Sequence, residues 1–140
     1  MRMLNRKVSD LPDEMISHLR ALTMQDEGYM RQELNAAVEA ADGRSYCLIL
    51  CDGDQPISWA LVLRPDRSVS TSARIMLFTA DDYRNRGHGT RILREIEFLE
   101  EEVTAGSWDE IGQRLFRRFS FIDDRRLSFI DDLLYDGVFV

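Results

Sequence analysis

One stretch restricts the fold of this chain more than any other. Residues Ala73 to Ala80, "ARIMLFTA", form an apolar run, and the run leads straight into "DDYRNRGHGTRIL". Apolar residues then continue at helical spacing through Ile92, Leu93, Ile96, Leu99 and Val103. A strand that turns through two glycines into an amphipathic helix is the predicted unit, with the helix running to Val103. The start of such a helix offers unpaired N–H groups and a partial positive charge, so it attracts anions. Gly87 and Gly89 carry no side chain that would keep a diphosphate off the backbone. Thr90 adds a hydroxyl donor, and Arg84 or Arg86 a charge-assisted bond. No Gly-Lys-Ser/Thr follows, which excludes a P-loop, and Ile92 stands where a dinucleotide fingerprint needs its third glycine. Asp81 and Asp82 are read as turn residues.

Charge narrows the partners. The chain of 140 residues has a formal net charge of −7, which disfavours nucleic acid as a ligand and leans toward a cationic one. Yet Arg84, Arg86, Arg91 and Arg94 fall close together, so one region is locally positive. The longest apolar run, Tyr46 to Cys51, is too short to span a bilayer, so no membrane partner is expected; nor is a cleaved leader. Cys47 and Cys51 lie about 13 Å apart on one predicted strand, beyond disulfide reach, and read as buried thiols of a reducing, cytoplasmic compartment. With His18 and His88 the only histidines, no metal-ligand spacing occurs and no metal is expected. His18 falls on the surface of a helix.

The rest of the chain reads as one domain over residues 1–140. "MRMLNRKV" alternates like a strand. A helix follows, with Asp10 as its cap, Pro12 in its first turn and Ile16, Leu19 and Leu22 on one face. A second helix is predicted from Gly28 to Ala41, with Gly43 ending it. "SYCLIL" and "PISWALVL" make a hairpin around Asp52-Gly53. After the motif helix, "SWDEIGQRLFRRF" has a helical pattern through Trp108, Ile111, Leu115 and Phe119. "SFIDD" then occurs twice, at Ser120–Asp124 and Ser128–Asp132, a repeat too short for a solenoid unit.

Arg84-Asn85-Arg86-Gly87-His88-Gly89 resembles the R/Q-x-x-G-x-G/A signature of the GCN5-related N-acetyltransferases, and the β-α-α-β-β order before it is similar to theirs. The resemblance spans roughly residues 1–103 and implies an α/β (α+β) domain with a mostly antiparallel sheet flanked by helices. It implies that acetyl-CoA is the cosubstrate, its pyrophosphate wrapped by Arg84, Asn85, Arg86, Gly87, His88, Gly89 and Thr90. The pantetheine arm would pair with the backbone around Leu77, Phe78 and Thr79, and a backbone N–H would stabilise the developing oxyanion. The implied reaction is acetyl transfer to a primary amine of a metabolite, a peptide N-terminus or a lysine.

The sequence departs from the family pattern in its last third. The family places a strand soon after the motif helix, where a further helix is read here. Either "FSFI" at Phe119 to Ile122 supplies that strand late, or the C-terminal half is rebuilt. The motif strand also holds no glutamate to act as a base. The family often uses a tyrosine near the C-terminus to protonate the departing thiolate. The resemblance thus implies Tyr135 in "LLYDGVFV" for that role, with a packing role as its alternative. A scaffold that binds and modulates a partner protein therefore stands as the rival reading, and the apolar tail could pair with a partner chain or a second copy.

Overall fold

The computed structural model describes residues 1–23, 29–41, 43–66, 68, 72–105, 110–119 and 121–123. Strand β1 (Arg2–Lys7) leads into helices α1 (Asp13–Leu22) and α2 (Tyr29–Ala40). Strands β2 (Tyr46–Asp52), β3 (Gln55–Leu63) and β4 (Ser72–Thr79) follow, then α3 (His88–Leu99), β5 (Glu102–Ala105), α4 (Glu110–Arg117) and β6 (Ile122–Asp123). The six strands form one sheet in chain order. Pairing is antiparallel from β1 to β4, and parallel for β4 with β5 and for β5 with β6.

Alternation along the strands builds two cores. Leu48, Leu50, Ala60, Val62, Ile75 and Leu77 face the side where Ile92, Leu93 and Ile96 of α3 pack, together with Leu115 and Phe116 of α4. Cys47, Ile49, Trp59, Leu61, Met76 and Phe78 face the other side, under Ile16 and Leu19 of α1 and Met30 and Leu34 of α2. Each fully buried Leu or Ile contributes about 1.5–3 kcal/mol, so the stripe on α3 suffices to fix that helix to the sheet. Its position fixes the motif turn.

Two local features shape the end of the sheet nearest the motif. The β2–β3 register pairs Leu50 with Ser58 but Cys51 with Pro56, so Ile57 is an extra residue in β3. The Ile57 carbonyl accepts a hydrogen bond of 2.8 Å from the Ala80 N–H at the end of β4. The second feature is a parting of strands. Strand β5 registers against β4 only at Ser72, Ala73 and Arg74, whereas β3 accompanies β4 to Thr79.

Several expectations are corrected. The motif helix ends at Leu99 and does not reach Val103, which sits in β5 opposite Ala73. The strand that parts from β4 thus comes directly after α3 and is not supplied late by "FSFI", of which only Ile122 enters the next strand, β6. Glu100 has an extended backbone (φ −120°, ψ 137°), and Arg64 and Tyr46 hold its side chain away from a helical path. Acidic residues are also unfavourable at the negative end of a helix dipole. Asp10 is not a helix cap; it lies in a 3-10 turn, and Pro12 occupies the cap position of α1. Helix α2 ends near its expected stop, where Ala41 (φ 45°) and Gly43 (φ 71°) turn left-handed.

Candidate functional site

The site lies where β4 runs out. After Thr79, residues Asp81–Tyr83 make a 3-10 turn closed by the Tyr83 N–H on the Ala80 carbonyl at 2.8 Å. Arg84 then folds back onto the strand it has left. Its Nε donates to the Thr79 carbonyl at 2.8 Å, its Nη1 pairs with Asp81 at 2.6 Å, and its guanidinium lies 5.4 Å from the Phe78 ring centre. Arg84 thus braces the turn, which gives Asp81 the turn role expected of it. Asp82 sits exposed in the same turn. Arg86 is exposed, with its guanidinium 5.8 Å over the Tyr83 ring, and His88 meets the same ring at 6.1 Å. Tyr83 itself donates to Asp52 at 3.2 Å, which ties the turn to the β2–β3 hairpin.

Asn85 (φ 62°) and Gly87 (φ 84°) carry the chain through left-handed conformations into α3. Gly87 is the cap residue, and no side chain caps this helix start. The Arg91 N–H begins the helical ladder on the Gly87 carbonyl at 3.1 Å. The amides of the turn before it point out of the helix end, where the dipole favours negative charge. No acidic residue stands in that first turn to compete with an outside anion. A cavity of about 340 Å³ opens there, lined by Asn85, Gly87, Gly89, Thr90, Arg114 and Arg118.

The last two arginines escaped the reading of the sequence. Both are exposed, Arg114 in α4 and Arg118 just past its end, four residues apart beside the buried Leu115 and Phe116. The visible signal was basic residues at i and i+4 on a helix whose other face is apolar; their approach to the α3 N-terminus depends on how α4 packs.

The three strand residues divide by direction. Leu77, Phe78 and Thr79 are all buried. Ala80 bonds toward β3, and the Phe78 carbonyl accepts from the Ser58 hydroxyl at 3.1 Å, also on the β3 side. Backbone groups alternate along a strand, so those of Leu77 and Thr79 turn the opposite way, into the gap that β5 has left. The Thr79 carbonyl is taken by Arg84. Leu77 therefore offers both a donor and an acceptor to an extended ligand, and Thr79 a donor. Ser58 and Thr79 also join their buried hydroxyls at 2.7 Å, which fixes this end of the strand.

These residues fit a diphosphate joined to an extended arm: an uncapped helix start, two glycines, flanking arginines and an open strand edge in line with them. Tyr135 lies outside the described residues. Among the described residues no group of His, Cys, Asp and Glu is arranged to hold a metal ion, and no helix is long and apolar enough to cross a membrane.

A family model described as the acetyltransferase (GNAT) family matches residues 13–121. No curated protein matches the sequence significantly. Solved structures share the fold at low identity. One is AAC(6')-Iy in complex with the bisubstrate analogue CoA-S-monomethyl-acetylneamine: 17% identity, TM-score 0.64, over 94% of this chain and 99% of that one. A "predicted acetyltransferase with acetyl-CoA" from Clostridium acetobutylicum gives 17% identity and TM-score 0.61 over 94% and 97% of the two chains. The ribosomal-protein-alanine N-acetyltransferase from Brucella melitensis biovar Abortus 2308 gives 12% and 0.59 over 89% and 94%.

Proposed function

The chain belongs to the acetyltransferase (GNAT) family, and on that premise we propose that it transfers the acetyl group of acetyl-CoA to a primary amine. One observation carries the reading: the uncapped start of α3 opens into an arginine-flanked cavity beside the half of β4 that β5 leaves.

When bound, acetyl-CoA supplies an acetyl group already activated as a thioester. The amides that follow Gly87, with Thr90, Arg114 and Arg118, hold the diphosphate at the helix start. Leu77 and Thr79 align the pantetheine arm as an added strand. A backbone N–H in the gap polarises the thioester carbonyl; preorganised donors of this kind typically contribute about 3–4 kcal/mol. Tyr135 is assigned the proton that the sulfur takes up on leaving, a role worth roughly 10²-fold.

Calorimetry with acetyl-CoA, followed by an amine and peptide screen, tests the reading. Micromolar to sub-millimolar binding with turnover supports it, and no binding at millimolar CoA overturns it. Tyr135→Phe should keep binding and lower turnover; unchanged turnover removes the assignment of Tyr135. A rival reading rests on β4 itself, which carries no Asp or Glu to deprotonate an acceptor. In that reading the domain binds acetyl-CoA and modulates a partner protein. Binding without turnover on any amine, with a partner co-purifying, would favour it.

A further inference from the structure

A second cavity, of about 500 Å³, reaches the base of the same gap from the opposite face of the sheet. Arg74 and Thr104 both line it, and they are the last pair that β4 and β5 make before parting. The face is set by alternation. Ala73 and Ile75 point toward α3, so Arg74 points toward α2, where it meets Glu33 at 3.1 Å. Val103 and Ala105 likewise point toward α3, and Thr104 away. The α3 start and this cavity therefore approach the parted strands from two sides, one at the end of β4 and one at its beginning.

The chemistry of the lining is particular. The lining carries three arginines, Arg44, Arg64 and Arg74, and one carboxylate, Glu33, in a protein whose overall charge is −7. Asp66, next to the lining residue Pro65, also feels the Arg44 charge. Arg64 is already bound to Glu100, so its charge is partly answered from outside the cavity. Arg74 engages one oxygen of Glu33, and a carboxylate has capacity for further donors. Ala37 and Leu63 supply apolar wall. The volume suits a small molecule, and few convergent polar groups on an apolar wall are what small-ligand sites present. A polycationic acceptor would meet more arginine than carboxylate in this lining, which costs affinity.

We infer that this cavity receives the acceptor, and that the acceptor is a small amine which also carries an anionic group, a carboxylate or a phosphate. The inference rests on the acetyltransferase reading above. The arginines, led by Arg44 and Arg74, hold the anion, and Glu33 holds the ammonium. The ammonium first gives one proton to Glu33 and on to solvent, and the neutral nitrogen then forms a bond to the acetyl carbon. The carbon–sulfur bond breaks with its electron pair leaving on sulfur, and the second proton shed by the nitrogen is balanced by the one the thiolate takes up. The cavity thus reverses what the overall charge favours, because a substrate answers to local charge.

Matched probes test this: L-phenylalanine against L-phenylalaninamide, and O-phosphoethanolamine against ethanolamine. Binding is measured by calorimetry with and without CoA, and kcat/KM with acetyl-CoA. The anionic member of at least one pair should be favoured tenfold or more in both readouts, and the pair that responds tells carboxylate from phosphate. Arg44 is exposed, so Arg44→Ala keeps the fold and should reduce that preference below threefold, with the acetyl-CoA Kd unchanged. Arg74→Ala, checked for folding by circular dichroism, should do the same. A wild-type preference for the neutral-tailed amines, binding of none of the four probes, or a preference that survives both substitutions overturns the inference. Failure of the acetyltransferase reading shows separately, as absence of acetyl-CoA binding, because amine binding is measured without it as well.

Discussion

Arg64 grips Glu100 through three hydrogen bonds of 2.6, 2.9 and 3.0 Å, and so joins the edge of β3 to the residue that ends α3. Tyr46 adds its hydroxyl to the same carboxylate at 2.7 Å. The Glu100 side chain is only 8% exposed, while that of Arg64 is 39% exposed. The ion pair therefore anchors one end of the helix whose other end is the anion site.

Arg64→Ala leaves a largely buried carboxylate without its charged donor, and the expected cost is about 1–3 kcal/mol. Removing both partners, as Arg64→Ala with Glu100→Ala, should cost less than the sum of the single changes, because no orphaned charge remains. Urea unfolding of the four proteins checks this. Strict additivity would mean that the pair contributes no coupling.

Gly87→Ala places a β-carbon at φ 84°, a left-handed position, although the new atom would meet no protein atom within 4 Å. The backbone strain predicts a stability loss of about 1 kcal/mol. The open space is the cavity itself, so acetyl-CoA affinity should fall by about tenfold, or 1.4 kcal/mol. Calorimetry beside thermal melts separates the two effects. Unchanged affinity would remove the glycine turn from the binding site.

The arginines around the helix start should divide into two kinds. Arg114→Ala and Arg118→Ala are expected to weaken acetyl-CoA binding several-fold each and to flatten its salt dependence. Arg84→Ala removes the brace on Thr79 and Asp81, so its main effect should be on stability. Arg86, exposed over Tyr83, should follow Arg114 and Arg118 if it reaches the ligand. Titrations at low and high salt decide, and an affinity indifferent to salt throughout would argue against every arginine contact.

Burial pushes the Cys47 thiol from 9.0 up to about 12. The unfolded chain releases this proton near pH 9, whereas the folded chain keeps it. Folding stability contributed here is therefore complete below pH 9 and declines as pH rises toward 12, by up to about 1.4 kcal/mol per pH unit. Burial and Glu100 raise the Tyr46 hydroxyl in the same direction. Cys47→Ala should shallow the alkaline loss, measured as ΔG by denaturant at pH 8, 9 and 10. Native Cys47 should also resist iodoacetamide at pH 8 until the protein unfolds. Fast labelling of the native state would contradict the burial.

Sequence periodicity determined a good deal of this protein. The strand–turn–helix unit that begins near Ala73, the order of the elements before it, and the glycine turn that opens α3 were all legible, although the end of that helix was not. They rest on local rules: alternation, helical spacing and the left-handed freedom of glycine. The tertiary structure alone decided the rest. Strand β5 was hidden because "EVTA" is four residues long with two apolar positions, and so short a run fits the end of a helix as well as a strand. What selects the strand is its pairing with Ser72, Ala73 and Arg74, about thirty residues earlier, together with the distant grip of Arg64 on Glu100. Non-local contacts of that kind leave no period to read. The same holds for Arg114 and Arg118 at the helix start, and for Arg44, Arg64 and Arg74 around one cavity. In sequence they are scattered charges on an acidic chain. Only packing brings them together, because side chains converge on a site through the fold and not through their spacing along the backbone.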